Sequence, residues 1–376
     1  MTTSTPNGQR NTRPQPTAAA AHAVRVAGLL LASGMLAGCG GVAYVAQLAA
    51  GQFQINGRVE PIEDVLASGR LSQEEADKLR LIVRAREYAA NVIGLNAGNA
   101  YTTFYDTNGD PLAWNLSAAR QDALVARTWR FPLVGEFPYL TFFDEEYLHE
   151  VERALQQAGY DTLTYELDAY STLGIFEDPV RSPMLRRSPL SLVDTIIHEL
   201  LHNTIWRPNA ATFNESLATF VGRQGTIEFL RDTFGEESGW PQFARRYYAD
   251  VDRVNAFLAQ LYEDLEAYYA QPLSRAQKIA GRESVYQAAR DRFTTEVLPT
   301  LNYGASFAGY TSLPTNNAWV LANQRYNLDL DVFAQVHETT GRNWAATLEV
   351  FRAAASAPQD PFEYLRTWLA EQTTQP

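Results

Sequence analysis

Ser188-Pro-Leu-Ser-Leu-Val-Asp194-Thr-Ile-Ile-His198-Glu199-Leu-Leu-His202-Asn-Thr-Ile-Trp206 is the stretch from which the rest of the chain can be read. Ser188 can cap a helix, Pro189 falls in the first turn where its missing N–H costs nothing, and Pro208 stops the run. Leu192, Val193, Ile196, Ile197, Leu200, Leu201 and Ile205 give this helix one broad apolar stripe, the mark of a buried element. His198 and His202, four apart, stand one turn above the other on a different face. Two imidazoles so placed can hold one Zn²⁺ through nitrogen, and Glu199, slightly off their line, can reach a water beside the metal. The chain has five histidines in 376 residues. Chance therefore produces this spacing on the order of once in a hundred or more such sequences.

A hydrolytic zinc needs three protein ligands and an open position. Glu215 is the expected third ligand, in Phe213-Asn214-Glu215-Ser216 at the start of the next helical segment, with a turn at 207–211 folding that segment back. Ser216 and Ala218 keep the surface around it small. Thr212-x-x-Glu215 also fits a capping box, in which the glutamate would only tie down a helix end. Asp194, Glu228 and His337 compete for the ligand role. A metzincin pattern is excluded, because its glycine and third histidine would fall at Ile205 and Pro208.

Upstream, Ser72-x-x-Glu75 opens a helix that Gly94 ends. Residues 101–143 are rich in aromatic and β-branched types and are interrupted by Asn108-Gly109, Pro132, Gly135 and Pro138, so an antiparallel sheet is expected there. A helix over 144–158 and one or two strands over 162–176 follow. Beyond Ser188 helical spacing dominates, over 241–269, 274–298, 317–326, 331–340, 343–355 and 361–372. Helix, sheet, then helices argue for an α+β fold. Three regions result: a leader over 1–38, an α+β region over 39–187, and a helical region over 188–376 carrying the metal residues.

The leader holds Arg10, Arg13 and Arg25, then the apolar run 26–36, too short for an ordinary transmembrane helix. The net charge of −12 becomes more negative without these arginines, which makes nucleic acid an unlikely partner on electrostatic grounds. A hydrophobic content of 46% supports a large core. Cys39 is the only cysteine, so there is no internal disulfide framework.

Leu36-Ala37-Gly38-Cys39 resembles the lipobox of bacterial lipoproteins. The resemblance implies cleavage before Cys39, acylation of its thiol and anchoring in a bacterial envelope; Gly40 favours the outer membrane, facing the periplasm. His198-Glu-Leu-Leu-His202 with Asn214-Glu215 resembles the gluzincin arrangement of aminopeptidases, with a shorter spacing than the thermolysin-like and leukotriene-hydrolase-like branches. The chain is more similar to a bacterial zinc aminopeptidase family known mainly as lipoproteins of proteobacteria. That similarity is carried by the lipobox, Ala169-Tyr-Ser-Thr-Leu-Gly174 with Asp178-Pro179, the histidine motif, Phe213-Asn-Glu-Ser216, and Asn316-Asn317-Ala318 with Tyr326.

Membership implies a zincin-like fold, Zn²⁺, a peptide substrate, Glu199 as general base and Tyr326 as donor to the oxyanion. Tyr303, Tyr310 and His337 are alternatives for the last role. The strand 170–176 could pair with an extended peptide. Glu177, Asp178 and Asn316-Asn317 are candidates to clamp a free amine, without which an endopeptidase acting on envelope proteins is the rival. A non-catalytic envelope lipoprotein is a third reading. Lipid anchoring predicts that mass spectrometry of the mature amino terminus finds a diacylglyceryl group on Cys39. A mature chain that keeps residues before 39 would refute it.

Overall fold

Local signals set the boundaries of most elements in the computed structural model, which describes residues 57–131, 135–167, 177–324 and 329–373. The chain divides into units 1–53 and 54–376, and every described residue belongs to the second. Cys39, Tyr326 and the expected strand 170–176 lie outside the described residues.

A short strand, β1 (Glu60–Pro61), leads into α1 (Ile62–Ala67) and α2 (Gln73–Tyr88). The Ser72 hydroxyl accepts from the Glu75 N–H while the Glu75 carboxylate accepts from the Ser72 N–H, so the expected capping box closes. One π turn, Ala89–Ile93, follows and ends at Gly94, whose φ of 88° is open to glycine at no steric cost.

The strands are β2 (Thr103–Tyr105), β3 (Ala113–Arg120), β4 (Trp129–Phe131), β5 (Gly135–Phe137) and β6 (Leu140–Phe142). After α3 (Glu145–Gln157), capped by Asp144, come β7 (Tyr160–Leu167) and β8 (Val180–Arg181). Instead of one antiparallel sheet over 101–143, the described residues form three small sheets, one of them mixed. β3 lies between β6 and β7, antiparallel to both, with Asn115 opposite Thr141 and Tyr165. β4 and β5 form a separate hairpin. β2 pairs antiparallel with β1 and parallel with β8, placing Phe104 opposite Val180. Alternation along a segment marks it as strand but does not name its partner, and this parallel pairing is long-range.

From Pro189 onward the chain is helical, and the architecture is α+β as the sequence order implies. The helices are α4 (Pro189–His202), α5 (Ala211–Phe234), α6 (Trp240–Tyr269), α7 (Arg275–Arg292), α8 (Asn317–Gln324), α9 (Leu330–Thr339), α10 (Trp344–Ser356) and α11 (Pro361–Thr373). The helix expected over 274–298 loses its α register after Arg292, where a π turn at Phe293–Val297 precedes Pro299.

α4 is the core element. Its stripe is fully covered, packing with Leu79, Ile82, Ala85 and Ile93 of the amino-terminal helix and with Leu217 and Val221 of α5. The approach of α5 to α4 is close because Gly222 and Gly225 face α4. A Cβ on Gly222 would stand 2.3 Å from Asp194 Oδ1 and 3.2 Å from its carbonyl oxygen; one on Gly225 would stand 2.7 Å from Ile93 Cδ1. The sheet is joined to the helices by Asn317. Its side chain accepts from the Tyr269 and Tyr286 hydroxyls and donates to the carbonyls of Arg120 and Ala123. Its N–H reaches Asp161, which also pairs with Arg282.

Candidate metal centre

α4 begins as the sequence dictates. The Ser188 hydroxyl accepts from the Ser191 N–H, Pro189 fills the first position, and the helix ends at His202. His198 and His202 then project from one side, ring centroids 4.9 Å apart and nearly perpendicular. The chain turns over 203–210, and α5 runs back beside α4. Glu215 Oε2 lies 3.3 Å from His198 Nε2 and 3.6 Å from His202 Nε2. One ligand atom from each of the three residues lies within 4.8 Å of the others.

This donor set fits zinc. Bonds of about 2.0–2.1 Å at tetrahedral angles place neighbouring donor atoms about 3.4 Å apart, and both observed distances fall around that edge. The capping-box alternative for Glu215 is not realised. α5 starts at Ala211, its cap Ala210 makes no side-chain bond, and the Glu215 carboxylate is turned to the imidazoles.

Charge at the cluster is arranged for a cation. Burial alone would raise the Glu215 carboxyl, but the His202 and His198 imidazoles outweigh it and hold Glu215 far below the usual carboxylate range. His198 is partly buried, which works against its charged form. The hydrogen bond to Glu215 and the charges of Glu199, Glu215 and Asp194 prevail and raise it. A metal ion would take over the positive charge that these carboxylates favour.

Asp194, one turn before His198, is a neighbour of the cluster and not one of its converging donors. Its carboxylate accepts from the Tyr248 hydroxyl at 3.1 Å, and burial raises it above the ordinary range. His202 packs edge-on against Trp206, which stacks on Phe137 of the β4–β5 hairpin. His202 Nδ1 and the Trp206 indole N–H are buried and find no hydrogen-bond partner among the described residues.

The other residues singled out from the sequence lie elsewhere. Glu228 and His337 pair with each other: His337 Nε2 is 3.5 Å from Glu228 Oε1, while Trp344 Nε1 and Gln224 Nε2 donate to the same carboxylate. His337 Nδ1 meets the Thr347 hydroxyl at 2.9 Å. Glu228 is thirteen positions beyond Glu215 on α5, about 20 Å along the axis. Tyr303 packs against Phe243 and Tyr247, and Tyr310 against Phe293 and Trp319, in a separate aromatic core. Glu177 accepts from Asn99, and Asp178 is buried 3.8 Å from the fully buried Arg181. Asn316 and Asn317 belong to the joint between sheet and helices.

Tyr101 is the residue that sequence reasoning missed. It is fully buried, its hydroxyl has no hydrogen-bond partner among the described residues, and its backbone holds a left-handed φ of 59°, rare for an aromatic residue. Burial, with the charges of Glu199 and Asp178, pushes its phenol up and keeps it a donor. Nothing in a single sequence signals a positive φ at tyrosine.

The family described as putative aminopeptidase matches the chain over residues 43–363. Neither the curated proteins nor the solved structures contain a match.

The Glu228 cluster provides a test independent of the metal. Hydrogen bonds from His337, Gln224 and Trp344 outweigh burial and hold Glu228 below the ordinary carboxylate value. Glu228→Leu strands those donors and should cost roughly 2–4 kcal/mol in urea unfolding at neutral pH, with zinc content unchanged. A depressed folded pKa contributes stability above the unfolded value of about 4.5 that is lost as pH falls through the folded value. The gap between wild type and variant should therefore narrow in acid; an equal gap at pH 7 and pH 3 would contradict this assignment.

Proposed function

Since the chain belongs to the putative aminopeptidase family, we propose that it is a zinc-dependent peptidase that removes residues from the amino terminus of peptides. His198, His202 and Glu215 would hold the metal, and the observation that carries this reading is their convergence, with Glu215 Oε2 3.3 and 3.6 Å from the two Nε2 atoms and all three donors within 4.8 Å of one another. Zinc, when bound, supplies a Lewis acid that acidifies water and polarises a peptide carbonyl.

Glu199 follows His198 directly and so points along a different azimuth, outside the converging group. Its carboxylate takes the proton of the attacking water and hands it to the leaving amine nitrogen. Burial of the cluster lowers the local dielectric and strengthens each of these charge interactions. Tyr326, the donor that family resemblance implies, remains part of the proposal. So does anchoring through Cys39 in a bacterial outer membrane.

One observation favours an endopeptidase as second reading. The residues considered for an amine clamp are already engaged: Glu177 with Asn99, Asp178 beside Arg181, and Asn316-Asn317 in the joint to the sheet. Peptides with free and blocked amino termini separate the two readings.

Glu199→Gln keeps size and hydrogen bonding but removes the basic carboxylate. Zinc content and thermal melting should stay at wild-type values while hydrolysis of a peptide library falls by roughly 100-fold or more. Equal activity in the two proteins would exclude Glu199 as the base. A fully zinc-loaded wild type that cleaves nothing would favour a non-catalytic envelope protein.

A further inference from the structure

We infer that Arg207 is a positioning residue for the metal centre, fixing Glu215 by tying the turn between α4 and α5 to the end of α10. The inference rests on the metal reading given above.

The turn that carries the chain from His202 to Glu215 is tied at its start to α4 by the Thr204 and Ile205 N–H groups, which both donate to the Leu201 carbonyl, and at Asn209 to the Glu136 N–H. The α5 cap, Ala210, offers no side-chain acceptor to the first turn of that helix. In its place the Asn214 side chain binds the backbone of Arg207 on both sides. Asn214 Oδ1 accepts from the Arg207 N–H at 3.0 Å, and Asn214 Nδ2 donates to the Arg207 carbonyl at 2.8 Å. This amide acts as a strand partner would, and it belongs to the residue immediately before Glu215. Asn214 is 2% exposed and Glu215 7%, so the bonds are made away from water, where losing them is costly.

The other end of Arg207 is fixed more strongly. Its guanidinium donates through Nη1 to the carbonyls of Ala354, Ala355 and Ala357, at 3.2, 3.3 and 2.7 Å, and through Nη2 to that of Gln359 at 3.0 Å. Ala354 and Ala355 are in the last turn of α10, where carbonyls lack the usual helical partner; that of Ala354 also accepts from the Ala357 N–H at 3.3 Å. A cation there also meets the negative end of the helix dipole. Asp360 then caps α11 by accepting from the N–H groups of Phe362 and Glu363. Phe362 in turn lies edge-on to Phe213, one residue before Asn214. The first turn of α5 is thus held between the two carboxy-terminal helices and α4.

A continuous set of short bonds therefore runs from the α10 carbonyls through Arg207 and Asn214 to the residue bearing the third donor. Arg207 would touch neither metal nor substrate. It acts by keeping Glu215 where His198 and His202 can share an ion with it, and outer residues of this kind change metal affinity by about 10- to 100-fold.

The test is a double-mutant cycle on the full-length protein, with zinc affinity measured by chelator competition and folding by thermal melting. Arg207→Ala should weaken zinc binding by roughly 10-fold in the wild-type background. In the Glu215→Ala background it should weaken binding by less than about 2-fold, because the residue it positions is gone. Asn214→Ala should repeat this pattern, and it decides the matter if Arg207→Ala does not fold. Unchanged affinity in the folded variants, or the same loss in both backgrounds, overturns the role of Arg207. A wild type that binds no zinc overturns the metal reading as well, whereas a wild type that binds zinc with Arg207→Ala unaltered overturns this inference alone.

Discussion

The close approach of α4 and α5 is the constraint on which the site depends. Glu215 on α5 can reach the α4 histidines because the two helices pack directly against each other. Gly222 and Gly225 provide that approach from α5, where an added Cβ would collide with Asp194 and with Ile93. Glycine is costly within a helix, by about 1 kcal/mol relative to alanine. Its presence at two positions of one helix face is explained by what lies opposite: the carboxylate of Asp194, the root of His198, and the branched ends of Ile93 and Ile197. The same proximity brings Glu215 within hydrogen-bonding range of His198 and close to His202.

Much of this was legible in the sequence, for identifiable reasons. α4 announces itself through Ser188, Pro189 and an uninterrupted apolar stripe, and its two histidines need only helical periodicity to be placed on one face. Glu215 was ambiguous because a capping box and a metal ligand ask for the same residue at the same spacing. The ambiguity is resolved by two residues of register, since the cap is Ala210 and Thr212 lies inside the helix. The strands were visible as strands, but the pairing of Phe104 with Val180 depends on contacts remote in sequence. The Asn316-Asn317 pair looked like a ligand clamp and is a structural joint. Two adjacent amides can serve either purpose, and only the positions of Arg120, Ala123, Tyr269 and Tyr286 distinguish them.

The buried polar groups fall into separate clusters with different chemistry. Around Glu228 every strong donor finds an acceptor, as expected of a network that specifies packing. Around Glu215 the balance differs. Two imidazoles face one carboxylate, and His202 Nδ1 and the Trp206 indole N–H find no partner among the described residues. Unmatched polar atoms are uncommon in a protein interior, and these two stand beside the converging imidazoles and carboxylate.

The central claim is that one zinc ion is shared by two imidazoles and one carboxylate. X-ray absorption at the zinc edge, recorded on the stoichiometrically loaded protein, tests it most directly. The expected spectrum shows two imidazole shells and two further oxygen or nitrogen donors at about 2.0–2.1 Å. A protein that retains no zinc, or a zinc site whose imidazole count differs from two, would contradict the account.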